Sequence, residues 1–309
     1  MVASLALSGL AVGSLLAWDR LGLAPRSPGV ALGTMLVCAL AGLRVWARDA
    51  DDGTRRALRD FAEDALLIIG IALLGVLASY PLAAGSHGFV DATLVQWDAR
   101  LHFDWIAWYR EVSAHPVLQR LGGAAYASIY VSPFVVLGWF AWAGQRFAAR
   151  RFLLAFWLAE VLTLLLFRQF PAEGPLAFLW RGPIPYMPTS ALYQHQLIPV
   201  LRLHRVDGID MGALRGLVCA PSFHTASAVL YMWAAWPVAW LRRVVVPLNC
   251  AMLLATPIEG THYLSDMIAG AVVAGCAILV VVFALRWTGR HLHHGHARAP
   301  AFAQVSQPG

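Results

Sequence analysis

The 309-residue chain is 59% apolar, only 13% charged, and carries a formal charge of +6, whereas soluble domains are about one-quarter charged. All 23 basic residues are arginine, which excludes a Schiff-base or P-loop lysine. The arginines fall mostly in short loops between apolar blocks, a pattern of membrane topology and not of nucleic-acid binding.

A helix needs roughly 20 apolar residues to cross about 30 Å of hydrocarbon. Lipid offers backbone amides no partner, so each apolar block is expected to be helical. Eight spans are predicted, at 2–18, 28–47, 64–84, 121–144, 152–168, 223–241, 244–261 and 266–286. Residues 1–18 lack a positive n-region and a clear A-x-A site, so a transmembrane helix is expected there over a cleaved signal peptide. Loops 48–60 and 145–151, the Arg242-Arg243 turn and the end of the last span near Arg286 and Arg290 hold arginines. The positive-inside rule puts them in the cytoplasm with both termini, as in a bacterial inner (plasma) membrane.

Two long connections, 85–120 and 169–222, then share the opposite, periplasmic face. In the first, Trp97, Trp105, Trp108 and Tyr109 alternate with polar residues, which fits either a helix lying on the membrane surface or an aromatic belt. The second is rich in proline and glycine and is a natural place for a functional loop. Glu160 lies mid-span, and an intramembrane acid is either functional or a protonated carboxyl packed between helices. Cys38, Cys219, Cys250 and Cys276 share no metal-like spacing and imply no disulfide framework. His291, His293, His294 and His296 read as part of a basic cytoplasmic tail, 288–309, expected to be disordered.

Three polar clusters bracket the outer ends of the last four spans, and alternating span direction brings all three to one face. In the third cluster His262 and Asp266 are four apart, so on a helix they share a face within contact reach. A carboxylate on one ring nitrogen raises the basicity of the other, which suits a nucleophilic or general-base imidazole; the same pair could merely close a helix end. In the second, Pro221-Ser222 before an apolar run is a helix start with Ser222 as N-cap. The free N–H groups there favour a phosphate, and His224 in the first turn could protonate a leaving oxygen. Arg168, ending the fifth span, either clamps a phosphate or snorkels to the interface. Together these residues read as a phosphoryl-transfer site.

The stretches "APSFHTASAV" and "EGTHYLSDMIAG", about 38 residues apart, resemble the second and third motifs of the type 2 phosphatidic acid phosphatase superfamily. "FRQFPAEGP" resembles the first motif of the branch containing inositol phosphorylceramide synthases. The resemblance covers roughly residues 61–287. It implies a six-helix catalytic core there, preceded by two extra helices in 1–60, and a phosphohistidine route that needs no metal or other cofactor. His262 would be the nucleophile, Asp266 its charge partner, His224 the leaving-group acid, Ser222 a phosphate donor and Arg168 the first-motif cation.

Three departures stand out. Ala255-Thr256 replaces a Ser-Arg pair before the third-motif histidine, Phe223 replaces a glycine, and the first-motif lysine is missing. Fewer cations suit a phosphodiester donor, such as a phospholipid headgroup, better than a free phosphate monoester. The expected molecule is therefore an all-α polytopic membrane enzyme, a lipid phosphotransferase or phosphatase acting on a phospholipid or lipid-phosphate substrate. The competing readings are a lipid transporter or flippase and an inactive scaffold with the same fold.

Overall fold

The computed structural model describes residues 1–25, 27–49, 52–190, 192–206 and 208–296. The chain is an all-α polytopic bundle. Its helices are α1 (Val2–Trp18), α2 (Gly29–Trp46), α3 (Gly53–Ala84), α4 (Asp91–Arg100), α5 (Trp105–Ala114), α6 (Pro116–Ala127) and α7 (Ser132–Trp142). They are followed by α8 (Arg146–Gln169), α9 (Pro175–Leu179), α10 (Tyr193–Arg202), α11 (Phe223–Ala235), α12 (Ala239–Glu259) and α13 (Leu264–His296).

Of the eight expected spans, α2, α3, α8, α12 and α13 are long and apolar enough to cross a membrane. A sixth would be the pair α6 and α7, which meet at a 42° bend. Pro133 explains the break, because it removes a backbone donor and its ring clashes with the preceding turn. Two expected spans come out short. α1 has 17 residues, and α11 has 13, about 20 Å at 1.5 Å per residue. α11 ends at Ala235, two residues before Pro237, which has no N–H to continue the helical ladder. α13 continues to His296, past the expected boundary at 287, and residues 297–309 lie outside the described residues.

The interior between α3, α7, α8, α11 and α13 is built on small residues, including Ala149, Ala155, Ala159, Ala226, Ala234, Ala274 and Ala277. Small residues let helix backbones approach closely where the solvent is lipid and apolar burial gains little. Ile71, Leu137, Leu153 and Tyr231 fill the remaining space.

The two ends of the bundle differ. At one end Met1, Glu63, Arg150, Arg151 and Leu285 line a common cavity. Here the loop arginines have acidic partners on α3: Arg59 and Arg146 each lie 3.0 Å from Asp60, and Arg150 contacts Glu63 and Asp64. The arginines read as topology signals therefore also clamp α8 to α3. At the other end a two-stranded parallel ribbon pairs β1 (Gly22–Ala24) with β2 (Gly208–Asp210), in register Leu23 to Ile209. That ribbon ties the α1–α2 connection to the long loop before α11.

The aromatic connection divides its residues. Trp97 and Trp108 face outward, while Trp105 and Tyr109 are buried. Trp105 Nε1 donates to the Pro257 carbonyl at 2.8 Å, and Tyr109 Oη donates to the Tyr186 carbonyl at 2.6 Å. α5 is thus docked on α12 and on the loop above it, which neither of the two expected arrangements describes.

Candidate functional site

His262 lies in the tight connection between α12 and α13, not on a helix as its spacing to Asp266 suggests. Thr261 takes a left-handed conformation there (φ 51°), and His262 N donates to the Pro257 carbonyl at 3.1 Å. The contact expected of the pair still forms. His262 Nδ1 is 2.9 Å from Asp266 Oδ1, with both residues buried. Asp266 Oδ2 accepts from the Tyr263 backbone N–H at 2.8 Å. With Nδ1 donating to the carboxylate, the lone pair of His262 is on Nε2. Among the described residues that nitrogen makes no hydrogen bond.

Ser222 caps α11 as its position predicts, accepting from Thr225 N and from Thr225 Oγ1. Its own N–H donates to the Asp266 carbonyl at 3.1 Å, so the starts of α11 and α13 are bonded directly. Gly270 makes this crossing possible, since a Cβ there would stand 2.2 Å from the Ser222 carbonyl oxygen. His224, in the first turn of α11, is thereby brought beside His262, with ring centroids 6.2 Å apart and planes at 54°. Phe223, where the resemblance expects glycine, packs edge-on against Phe156 with centroids 5.4 Å apart. Its bulk enters the core.

Sequence reasoning missed the residues that hold these loops. Asp98 on α4 accepts from the N–H groups of Leu264 and Ser265 at 2.9 and 2.8 Å, acting as a remote cap for α13. Asp91 accepts from the N–H groups of Glu173 and Gly174 and from the Tyr263 hydroxyl, joining the first cluster to the third. Burial raises the Asp91 carboxyl above the ordinary range against the pull of these donors. The Tyr263 hydroxyl is raised by burial and then by Asp91, so it stays a donor. The sequence signal was faint: two aspartates seven apart that share one face of an amphipathic helix.

A second set surrounds His224. Tyr126 on α6 stacks on its ring, with centroids 4.2 Å apart at 13°, and Tyr126 Oη lies 3.2 Å from His224 Nδ1 and 3.1 Å from Ser190 Oγ. Ser190 belongs to a loop latched on Glu259. That carboxylate accepts from Tyr186 Oη, Thr189 N and Thr189 Oγ1, and the Glu259 carbonyl accepts from Ser190 N. Gly260 is needed between the two rings, since a Cβ there would be 2.5 Å from His262 Cδ2 and 3.0 Å from Tyr126 Cε2.

The remaining candidates sort as follows. His224, His262, Asp266 and Ser222 come together. Arg168 ends α8 exposed beside Gly85 and, among the described residues, makes no hydrogen bond or ion pair. Glu173 pairs with His195 at 2.6 Å, and Glu259 bonds hydroxyls and an amide. Glu160 is buried between α8 and α3, facing Gly75 and about 12 Å along α8 from Arg168. Cys219, His262 and Asp266 present donor atoms within 4.8 Å of one another. Burial holds the Cys219 thiol well above its usual pKa, and its sulfur lies 3.7 Å from Thr261 O and 4.0 Å from Asp266 Oδ2.

Fold and site define a polytopic helical membrane protein with two histidines and a buried carboxylate at one end of its bundle. The chain belongs to the PAP2 superfamily, whose family model matches residues 92–280. Comparison with curated proteins and with solved structures gives no match. Membership points to phosphatase or phosphotransferase activity on phosphate esters.

Proposed function

We propose that this protein transfers the phosphoryl-bearing headgroup of a membrane lipid through a phosphohistidine on His262, passing it to water or to a lipid hydroxyl. The observation that carries the reading is the buried Asp266–His262 pair at 2.9 Å with the His224 ring 6.2 Å away.

His262 Nε2 attacks phosphorus as the bond from phosphorus to the leaving oxygen breaks. The negative charge of the bound headgroup favours the imidazolium form of His224, which gives that oxygen its proton. Asp266 stabilises the imidazolium form of His262 and keeps Nε2 aimed outward. An incoming water or alcohol then loses its proton to His224 and attacks phosphorus, and the N–P bond breaks. The Ser222 hydroxyl and the N–H groups opening α11 stabilise the equatorial oxygens. Arg168 supplies positive charge to the incoming headgroup.

A site with so few cations favours a phosphodiester donor, as in the branch of inositol phosphorylceramide synthases. With both termini cytoplasmic in a bacterial inner membrane, the reaction would occur at the periplasmic leaflet.

The test is incubation of the purified protein with phosphatidic acid and with phosphatidylinositol micelles, with and without an added long-chain alcohol, read by lipid mass spectrometry. A headgroup adduct of the alcohol is expected, together with an acid-labile phosphate on His262. Undiminished turnover by His262→Ala on both lipids would sink the nucleophile. Inorganic phosphate as the sole product in the presence of alcohol would sink transfer in favour of hydrolysis.

A further inference from the structure

The two histidines are supported by different chemistry. His262 rests on a carboxylate, whereas His224 Nδ1 faces the Tyr126 hydroxyl at 3.2 Å. We infer that Tyr126 is a positioning residue for His224, and that Ser190, on the Glu259-latched loop, completes its hydrogen bonding. This assignment rests on the proposed role of His224 as the proton donor.

Valence fixes the hydrogen-bond directions. To protonate a leaving oxygen, His224 needs hydrogens on both ring nitrogens. Its Nδ1–H then requires an acceptor, and the Tyr126 oxygen is the atom within reach. The tyrosine hydrogen is directed to Ser190 Oγ, 3.1 Å away. Because Nδ1 is engaged, Nε2 is the nitrogen presented to substrate. The stacked tyrosine ring fixes the imidazole plane. A neutral hydroxyl supports the imidazolium less than a carboxylate would.

The latch adds a connection to the loop. Residues 186–190 reach the site through Glu259, three positions before His262, and Ser190 reaches His224 through Tyr126. Movement of this loop would therefore change the support of the proton donor.

The experiment compares wild type, Tyr126→Phe and Ser190→Ala on phosphatidic acid micelles, recording kcat and KM across pH. Phenylalanine keeps the stack and removes only the hydroxyl. Losing an acceptor for Nδ1–H disfavours the imidazolium. The alkaline limb of kcat should move to lower pH, and kcat should fall roughly three- to tenfold with KM little changed. Ser190→Ala, which leaves the helices untouched, should move the limb the same way by less. In a His224→Ala background Tyr126→Phe should add no further loss. An unmoved limb in both single variants, or an equal loss in that background, overturns the assignment. Full turnover by His224→Ala would overturn the assignment and the function beneath it together.

Discussion

Gly270 offers the sharpest test of how the site is built. In Gly270→Ala the new methyl would lie 2.2 Å from the Ser222 carbonyl oxygen and 3.1 Å from its carbonyl carbon. Both are backbone atoms, so no side chain can swing aside. Relief to ordinary contact requires α13 to move about 1 Å from the start of α11. Asp266 lies one turn earlier on the same face of α13, and its carbonyl accepts the Ser222 N–H. The shift would therefore separate the His262–Asp266 pair from His224. A displacement of about 1 Å at reacting groups costs on the order of 100-fold in rate. Overpacking of this kind costs about 1–3 kcal/mol of stability. Gly275→Ala is the control, because nothing lies within 4 Å of a Cβ there. It should leave activity intact and, as an alanine inside a helix, hold or raise the thermal midpoint. The assay is initial-rate turnover of phosphatidic acid in micelles, with thermal unfolding in the same detergent. A Gly270→Ala protein with more than half the wild-type kcat would refute the crossing as the device that gathers the site.

Two further outcomes follow from single contacts. Asp266→Asn keeps the shape but offers His262 Nδ1 an amide in place of a carboxylate, so kcat should fall roughly 10²- to 10⁴-fold while the melting temperature changes little; an unaffected rate would remove the pair from the mechanism. Asp98→Ala leaves two buried N–H groups at the start of α13 without acceptors and should cost about 2 kcal/mol. Thermal unfolding checks this, and an unchanged midpoint would show that Asp98 is not the cap.

Much of the site was legible because it is local. Ser222 caps its helix through an oxygen that reaches Thr225, and His262 meets Asp266 across four residues. Short spacing along a chain constrains geometry whatever the tertiary fold. The span count was less legible. Hydropathy alone merges α11 with the residues beyond Trp236-Pro237, and it cannot foresee a 42° break between α6 and α7. The arginines also carried two meanings. Their placement signals topology, yet several are partners of Asp60, Glu63 and Asp64.

The amino-acid sequence by itself determined the membrane bundle, the start of α11 and the two histidine stretches, since hydrophobicity and short-range spacing act within one or two turns. Tertiary structure alone decided the supporting cast. Asp98 caps a helix 166 residues away, Asp91 joins a tyrosine 172 residues away, and Tyr126 meets His224 across 98 residues. Each of these sits in an ordinary stretch of helix. A hydrogen bond needs its partners within about 3 Å and aligned, and only the packing of distant helices sets that distance.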